Sequence, residues 1–296
     1  MKSRVVWAAV VLVAAGCAAV FLDPRCTLLG LLRGERFFDD RPTTYWRRAL
    51  QDPDTTTQAA ARARLQSGGG AAAEVLVELL HAPSAEVRWQ AADVLGKMKP
   101  PAAAAVGPLA AALDDDDPHV RAVAVAALGE MGAAAAEAVG PLAGMLRTPD
   151  RVAAARALAR MGPAARDALG PLQELLKDPS DEVRWNAART LGKIGPAAVG
   201  AIGSLVAALK DPDAEVREHA AEALGEMGPA AGAAVGPLTA TLADANPRVR
   251  RDAVRSLGQV GPAAQAARPA VEKLLKDPSL AVREAATKAL QKISPP

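Results

Sequence analysis

Apolar side chains recur through most of this chain on a helical beat. Val183, Ala187, Leu191 and Ile194 are spaced by four, four and three positions, which puts them on one face of an α-helix. The pattern then returns at a fixed interval. Arginine stands at Arg88, Arg121, Arg151, Arg184, Arg217, Arg250 and Arg283, in steps of 33, 30, 33, 33, 33 and 33 residues. Seven residues after each comes Leu95, Leu128, Leu158, Leu191, Leu224, Leu257 or Leu290, and three later Met98, Met131, Met161, Ile194, Met227, Val260 or Ile293. A degenerate earlier copy, Asp52 to Leu80, carries Gln58 and Leu65 in those places and a shortened Gly68-Gly69-Gly70 loop. The spacing predicts eight helices of the arginine type with seven between them, and residues Thr44 to Gln51 as a leading helix that caps the stack. Each pair buries only part of its apolar surface alone, so it needs neighbours.

Residues 163 to 195 show one unit. Pro163 opens a first helix that is expected to kink at Gly170-Pro171, where proline removes a backbone bond. Lys177-Asp178-Pro179-Ser180 reads as the turn, with Asp178 capping the second helix and Pro179 at its first position. Gly195-Pro196 ends that helix, because glycine accepts a positive φ and proline cannot continue. The fold class that follows is all-α, an α-α superhelix over residues 46–296, after a connector at 23–45.

Composition supports helices: half the chain is apolar but only 3% is aromatic, so the hydrophobic content is mainly Ala, Leu and Val. With 35 basic and 33 acidic residues the net charge is +2, which gives no general attraction to nucleic acid or an anionic surface. Cys17 and Cys26 both lie near the start, which leaves the repeats without a disulfide framework or a thiolate zinc site.

Residues 1–22 read as a targeting segment. Lys2 and Arg4 precede an uncharged run from Val5 to Leu22. As a helix that run would span roughly 27 Å, near the ~30 Å of a bilayer core. An uncleaved membrane anchor is the preferred reading. Ala14-Ala15-Gly16-Cys17 resembles a lipoprotein cleavage box, with Cys17 as the lipidated residue, but the apolar run continues past it. Lipoprotein and secreted protein stand as the alternatives. The basic amino end predicts that it stays inside and that the repeats are extracytoplasmic, although Arg25, Arg33 and Arg36 weaken that asymmetry. Leu28, Leu29, Leu31 and Leu32 are expected on the membrane surface or on the first repeat.

The Asp-Pro turn, the arginine six residues after the aspartate (Asp178 to Arg184, Asp211 to Arg217, Asp277 to Arg283), the first-helix proline and the Leu-Gly-x-Met/Ile-Gly-Pro-Ala-Ala ending resemble HEAT repeats. The 33-residue length is similar to the short HEAT-like repeats of phycobilin lyases. That resemblance covers roughly residues 46 to 293. It implies a ladder of aspartate and arginine between successive units, and a concave face lined by second helices that binds partners. Three units depart from it: residues 147–151 lose three residues of turn, and Pro118 and Pro247 sit only three residues before their arginines.

On that face, the positions one, five and nine after the arginine read Trp185, Arg189 and Lys193, next to Arg156 and Arg160, with Trp89 at the matching place three repeats upstream. They are the candidate partner-binding residues, a basic aromatic patch for an acidic or phosphate-bearing ligand. The plainer reading is that the tryptophans fill gaps and the arginines are solvated. Glu215, Glu218, Glu222 and Glu226 reverse the sign, and Arg248, Arg251 and Arg255 reverse it again. Asp114 to Asp117 lacks an EF-hand pattern and reads as a solvated turn.

The expected function is a non-catalytic protein-binding or scaffolding solenoid tethered to a membrane, with no cofactor, no metal and no catalytic residue. Its partner is another protein, and the membrane is met through residues 5–22. The alternatives are a HEAT-like enzyme or lyase-type subunit, or a nucleic-acid-binding HEAT-like protein. Deoxyhypusine hydroxylases hold two irons with His-Glu pairs, but His81, His119 and His219 are followed here by Ala82, Val120 and Ala220. HEAT-like DNA glycosylases would use a basic groove with aromatics, which an extracytoplasmic site and near-neutral charge disfavour. Nucleic acid is therefore not an expected partner.

Overall fold

In a computed structural model of the chain, residues 26–293 are described. The apolar run 5–22, Lys2, Arg4 and the Cys17 box lie outside them. The chain divides into two units, residues 1–127 and 128–296.

Unit one holds helix α1 (Thr27–Arg33), a short hairpin of β1 (Phe37–Phe38) with β2 (Arg41–Pro42), and helices α2 (Thr43–Leu50), α3 (Thr55–Ser67), α4 (Gly69–Leu79), α5 (Ala85–Lys97) and α6 (Val106–Ala111). Helix α7 (Pro118–Met131) spans the unit boundary. Unit two continues with α8 (Val139–Met145), α9 (Arg151–Met161), α10 (Leu169–Leu175), α11 (Asp181–Ile194), α12 (Ile202–Ala208), α13 (Ala214–Glu226), α14 (Val235–Thr241), α15 (Pro247–Val260), α16 (Arg268–Lys273) and α17 (Leu280–Ile293). The odd-numbered helices from α3 to α17 are the second helices of the repeat, and the even-numbered ones from α4 to α16 are the first. Both units are solenoids of such pairs.

The core sits where the period places it. Leu65, Leu95, Leu128, Leu158, Leu191, Leu224 and Leu257 are fully buried, as are the Met, Ile and Val residues that follow three positions on. Leu290, on the last helix, is only half-buried. Second helices of one unit approach closely through glycine. A Cβ placed on Gly192 would stand 2.9 Å from Ala223 Cα, and one on Gly258 would stand 2.9 Å from Ala289 Cα. Two hydroxyls cross the same seams, Thr190 Oγ1 to the Ala155 carbonyl (3.1 Å) and Ser256 Oγ to the Ala221 carbonyl (2.7 Å).

The first helix differs from expectation. There is no kink at Gly170-Pro171. A seven-residue 3₁₀ turn, Gly162–Ala168, comes first, and the α-helix starts at Leu169. Pro171 therefore sits in its first turn, where the amide it lacks has no partner to lose. Gly195, which ends α11, has φ 67° and ψ −139°, a conformation reserved in practice for glycine.

The role of Asp178 is also corrected. It does not cap α11: the residue ahead of that helix is Ser180, whose side chain makes no capping bond. Asp178 instead accepts the Ser180 N–H (2.9 Å) and lies 3.1 Å from Arg151 Nε. Capping falls to the residue two positions later where that residue is Asp or Asn. Asp213 accepts from Glu215 and Val216, and Asn246 from Arg248.

The ladder implied by the resemblance is present within each unit. Arg88 reaches Asp115 in unit one; Arg184, Arg217 and Arg250 reach Asp211, Asp244 and Asp277 in unit two, each with paired bonds of 2.7–3.1 Å. Each arginine also donates Nη1 back to carbonyls five and six residues earlier, as Arg184 does to Asp178 and Pro179. Gln58 makes the same backward contact to the Asp52 carbonyl at 2.8 Å, so the degenerate copy keeps half of the device. The shortened unit shows its cost. Arg151 Nε is buried near Asp178 without an aligned hydrogen bond.

Two helical runs, Pro118–Met145 and Asp181–Ala208, are long and apolar enough to cross a membrane by length and composition. Each is a second helix, its 3₁₀ turn and the next first helix, and about half of each window is buried in the protein.

Candidate functional site

Every second helix turns one side toward its layer neighbours and leaves another open, and the open side carries the positions one, five and nine after the anchor arginine. In unit two these are Val152, Arg156 and Arg160 on α9; Trp185, Arg189 and Lys193 on α11; Glu218, Glu222 and Glu226 on α13; Arg251, Arg255 and Gln259 on α15; and Glu284, Lys288 and Lys292 on α17. The structure thus brings together Arg156, Arg160, Trp185, Arg189 and Lys193. Trp89 belongs to unit one, where it is half-buried with its ring 5.1 Å from that of His119.

Trp185 is half-exposed and held on both sides. His219 stacks on it with ring centres 5.2 Å apart, and the Arg156 guanidinium lies 5.9 Å from the ring centre. It is the only Phe, Trp or Tyr after residue 128, and it is not in the core.

The cations around it are mostly paired. Arg156 bonds Glu182 (3.0 Å) and Asn186 (3.2 Å), Arg160 meets Glu130, and Lys193 meets Glu226. Arg189 alone of this set is exposed with no ionic partner among the described residues. The expected basic patch is therefore close to charge-balanced, an aromatic platform ringed by ion pairs.

A second set was not singled out by sequence reasoning. Asn186, Thr190, Asp252 and Ser256 are buried polar residues between the second helices, two and six positions after their arginines. The signal was present in the row six after the arginine, where Thr190 and Ser256 interrupt Ala127, Ala157, Ala223 and Ala289; the row two after is mixed and carried no such contrast. Asn186 Nδ2 donates to the Glu182 carbonyl at 2.7 Å. Asp252 receives Arg251 through two bonds of 2.7 and 2.8 Å, and Arg251 also reaches Glu218 at 3.1 Å. Burial, aided by the Asp252 charge, holds the Glu218 carboxyl above the usual range against the pull of Arg251. The His219 hydrogen bond holds Glu222 below it, against the opposing effect of burial.

The histidines lie in separate repeats, and no cluster of three His, Cys, Asp or Glu side chains among the described residues is placed to hold a metal ion. In the acidic run, Asp115 is bound by Arg88, and Asp117 caps α7 through the amides of His119 and Val120.

A family model described as HEAT repeats matches residues 73–159, 149–202, 171–235 and 235–296. Among solved structures the chain is similar to engineered proteins from the Northeast Structural Genomics Consortium. One shares 25% identity at a TM-score of 0.57, over 85% of this chain and 78% of that one. Two more share 25% identity over 75% of this chain and 96% and 98% of theirs, with TM-scores of 0.44 and 0.43. No curated protein matches.

Proposed function

Because the chain belongs to the HEAT-repeat family, we propose that it is a non-catalytic scaffold whose second-helix face, the concave side of such solenoids, holds another protein. The observation that supports this most directly is Trp185. Unit two builds its core from Ala, Leu, Val, Met and Ile, and its one indole stands outside that core, half-exposed on the open face and braced by His219 and Arg156. Tryptophan and arginine side chains anchor interfaces; the indole buries much area with only two rotatable bonds, and the guanidinium adds a planar set of donors.

The reading includes a tether. The uncharged residues 5–22 would anchor the chain in a bilayer, with the amino end inside and the repeats extracytoplasmic. A periplasmic reporter fused after Pro296 should then be active, and the chain should stay with membranes after alkaline carbonate washing.

The face itself is tested by photo-crosslinking in cells. A photoreactive residue at position 189 should give a discrete protein adduct that disappears with Trp185→Ala, while one at Gln173 on α10 should give none. Adducts from position 173 alone, or an adduct at 189 that ignores Trp185→Ala, would overturn the proposal.

A further inference from the structure

The sequence drew attention to Trp185 and its neighbours, but the surplus positive charge of unit two lies elsewhere. Helix α15 presents Arg248, Arg251, Arg255 and Gln259 at intervals of three, four and four residues. Helix α17 presents Ala281, Glu284, Lys288 and Lys292 at the same intervals. Two such rows on adjacent helices run side by side, and between them is an open groove of about 330 Å³. Its floor is small: Gly258, Ala285 and Ala289.

The charges of this groove are not balanced as they are upstream. Arg251 is committed to Asp252 and Glu218. Arg255 reaches Asp252 only at 3.4 Å and keeps 65% of its side chain exposed. Lys288 and Lys292, both on the groove wall, are exposed and have no ionic partner among the described residues. Upstream, by contrast, Arg156, Arg160 and Lys193 each have a carboxylate. Unsatisfied cations over a floor of glycine and alanine leave room for a backbone to lie close and for carboxylates to reach both walls.

We infer that the α15–α17 groove is a docking site for an extended acidic segment of the partner protein. This rests on the scaffold reading and adds the chemistry of what is held. Each row spans about 16 Å of helix, enough for roughly five residues of extended chain at ~3.3 Å each. Alternate residues of an extended chain share one face, and with that face set on the groove floor their carboxylates would lie between Arg255 on one wall and Lys288 and Lys292 on the other. Glu218 and Glu284, set among these cations, favour a chain with spaced charges. They disfavour a nucleic-acid backbone, which carries a charge on every nucleotide and has no neutral unit to set against them.

The test uses the full chain in detergent and a fluorescein-labelled peptide of alternating glutamate and alanine, read by anisotropy at low salt. Binding should be measurable and should weaken by about tenfold or more in Lys288→Glu/Lys292→Glu. It should be unchanged in the control Lys177→Glu and weaken with added salt. Thermal melts of all three proteins should coincide, since these side chains are exposed. Binding that survives the double reversal, no binding by the unaltered chain, or tighter binding of single-stranded DNA or anionic vesicles would each overturn the inference. The position-189 adduct separates the two readings. If it persists while the peptide fails, the scaffold stands and the acidic partner falls; if it too is absent, the scaffold reading fails.

Discussion

Arg184 is bonded twice to Asp211, at 2.8 and 2.9 Å, and the same guanidinium donates to the carbonyls of Asp178 and Pro179 in its own turn. One side chain thereby ties the start of its helix to the turn of the next repeat. The pair is 13% and 10% exposed, so solvent screens it little.

Asp211→Ala should accordingly cost about 2–3 kcal/mol, the range for losing charged hydrogen bonds while the other partner stays buried. Arg147→Ala breaks a pair exposed by more than half on both sides and should cost at most about 0.5 kcal/mol. Urea midpoints of the two variants compare them directly, and equal losses would show that the ladder is ornamental.

Acid should weaken the protein through the same groups. The arginine hydrogen bonds are the main cause that holds Asp115 and Asp277 below the ordinary 3.8. For Asp211 and Asp244 burial pushes upward, but the arginines and a backbone amide outweigh it. A carboxylate depressed in the fold stabilises above its unfolded pKa and loses that stabilisation as pH falls through the folded value. Stability from these groups should therefore hold down to about pH 5 and decline below 3.8. Comparing denaturation at pH 7 and pH 3 should show a smaller drop in Asp211→Asn than in the parent.

Leu191→Ala empties a fully buried site and should cost about 2–5 kcal/mol. Because contacts run between neighbours, hydrogen exchange should quicken mainly in α9, α11 and α13. Uniform quickening across unit two would contradict a stack of near-independent repeats.

Two glycines in helical backbone should respond with opposite signs. A methyl at Gly192 would meet Ala223 Cα at 2.9 Å, so Gly192→Ala must push α11 from α13 and should destabilise by about 1–3 kcal/mol. Gly144 has open space where a methyl would stand, lies in the helical backbone of α8 and is followed by Met145 and not by a proline, so Gly144→Ala should stabilise by about 0.4–1 kcal/mol through the unfolded chain. Thermal midpoints moving the same way for both would refute the close-approach argument.

What was legible beforehand was whatever depends on one helix at a time. The 33-residue beat located the buried leucines and placed Trp185, Arg189 and Lys193 on a common stripe, because the face of a helix is determined by spacing alone. Even the Gln58 copy kept its contact. Tertiary structure alone decided which charges meet. Arg160 with Glu130 and Lys193 with Glu226 are pairs 30 and 33 residues apart, and they form because adjacent helices pack at a particular offset and rotation. The same offset gives Arg156, Arg160 and Lys193 a carboxylate each and leaves Arg189, Lys288 and Lys292 without one. The ladder contact of Asp178 with Arg151 agrees with what the repeat resemblance implies, whereas the capping role that the turn's spacing predicts for it is absent. Periodicity describes how a helix divides apolar from polar; where its polar side finds partners is a property of the neighbours.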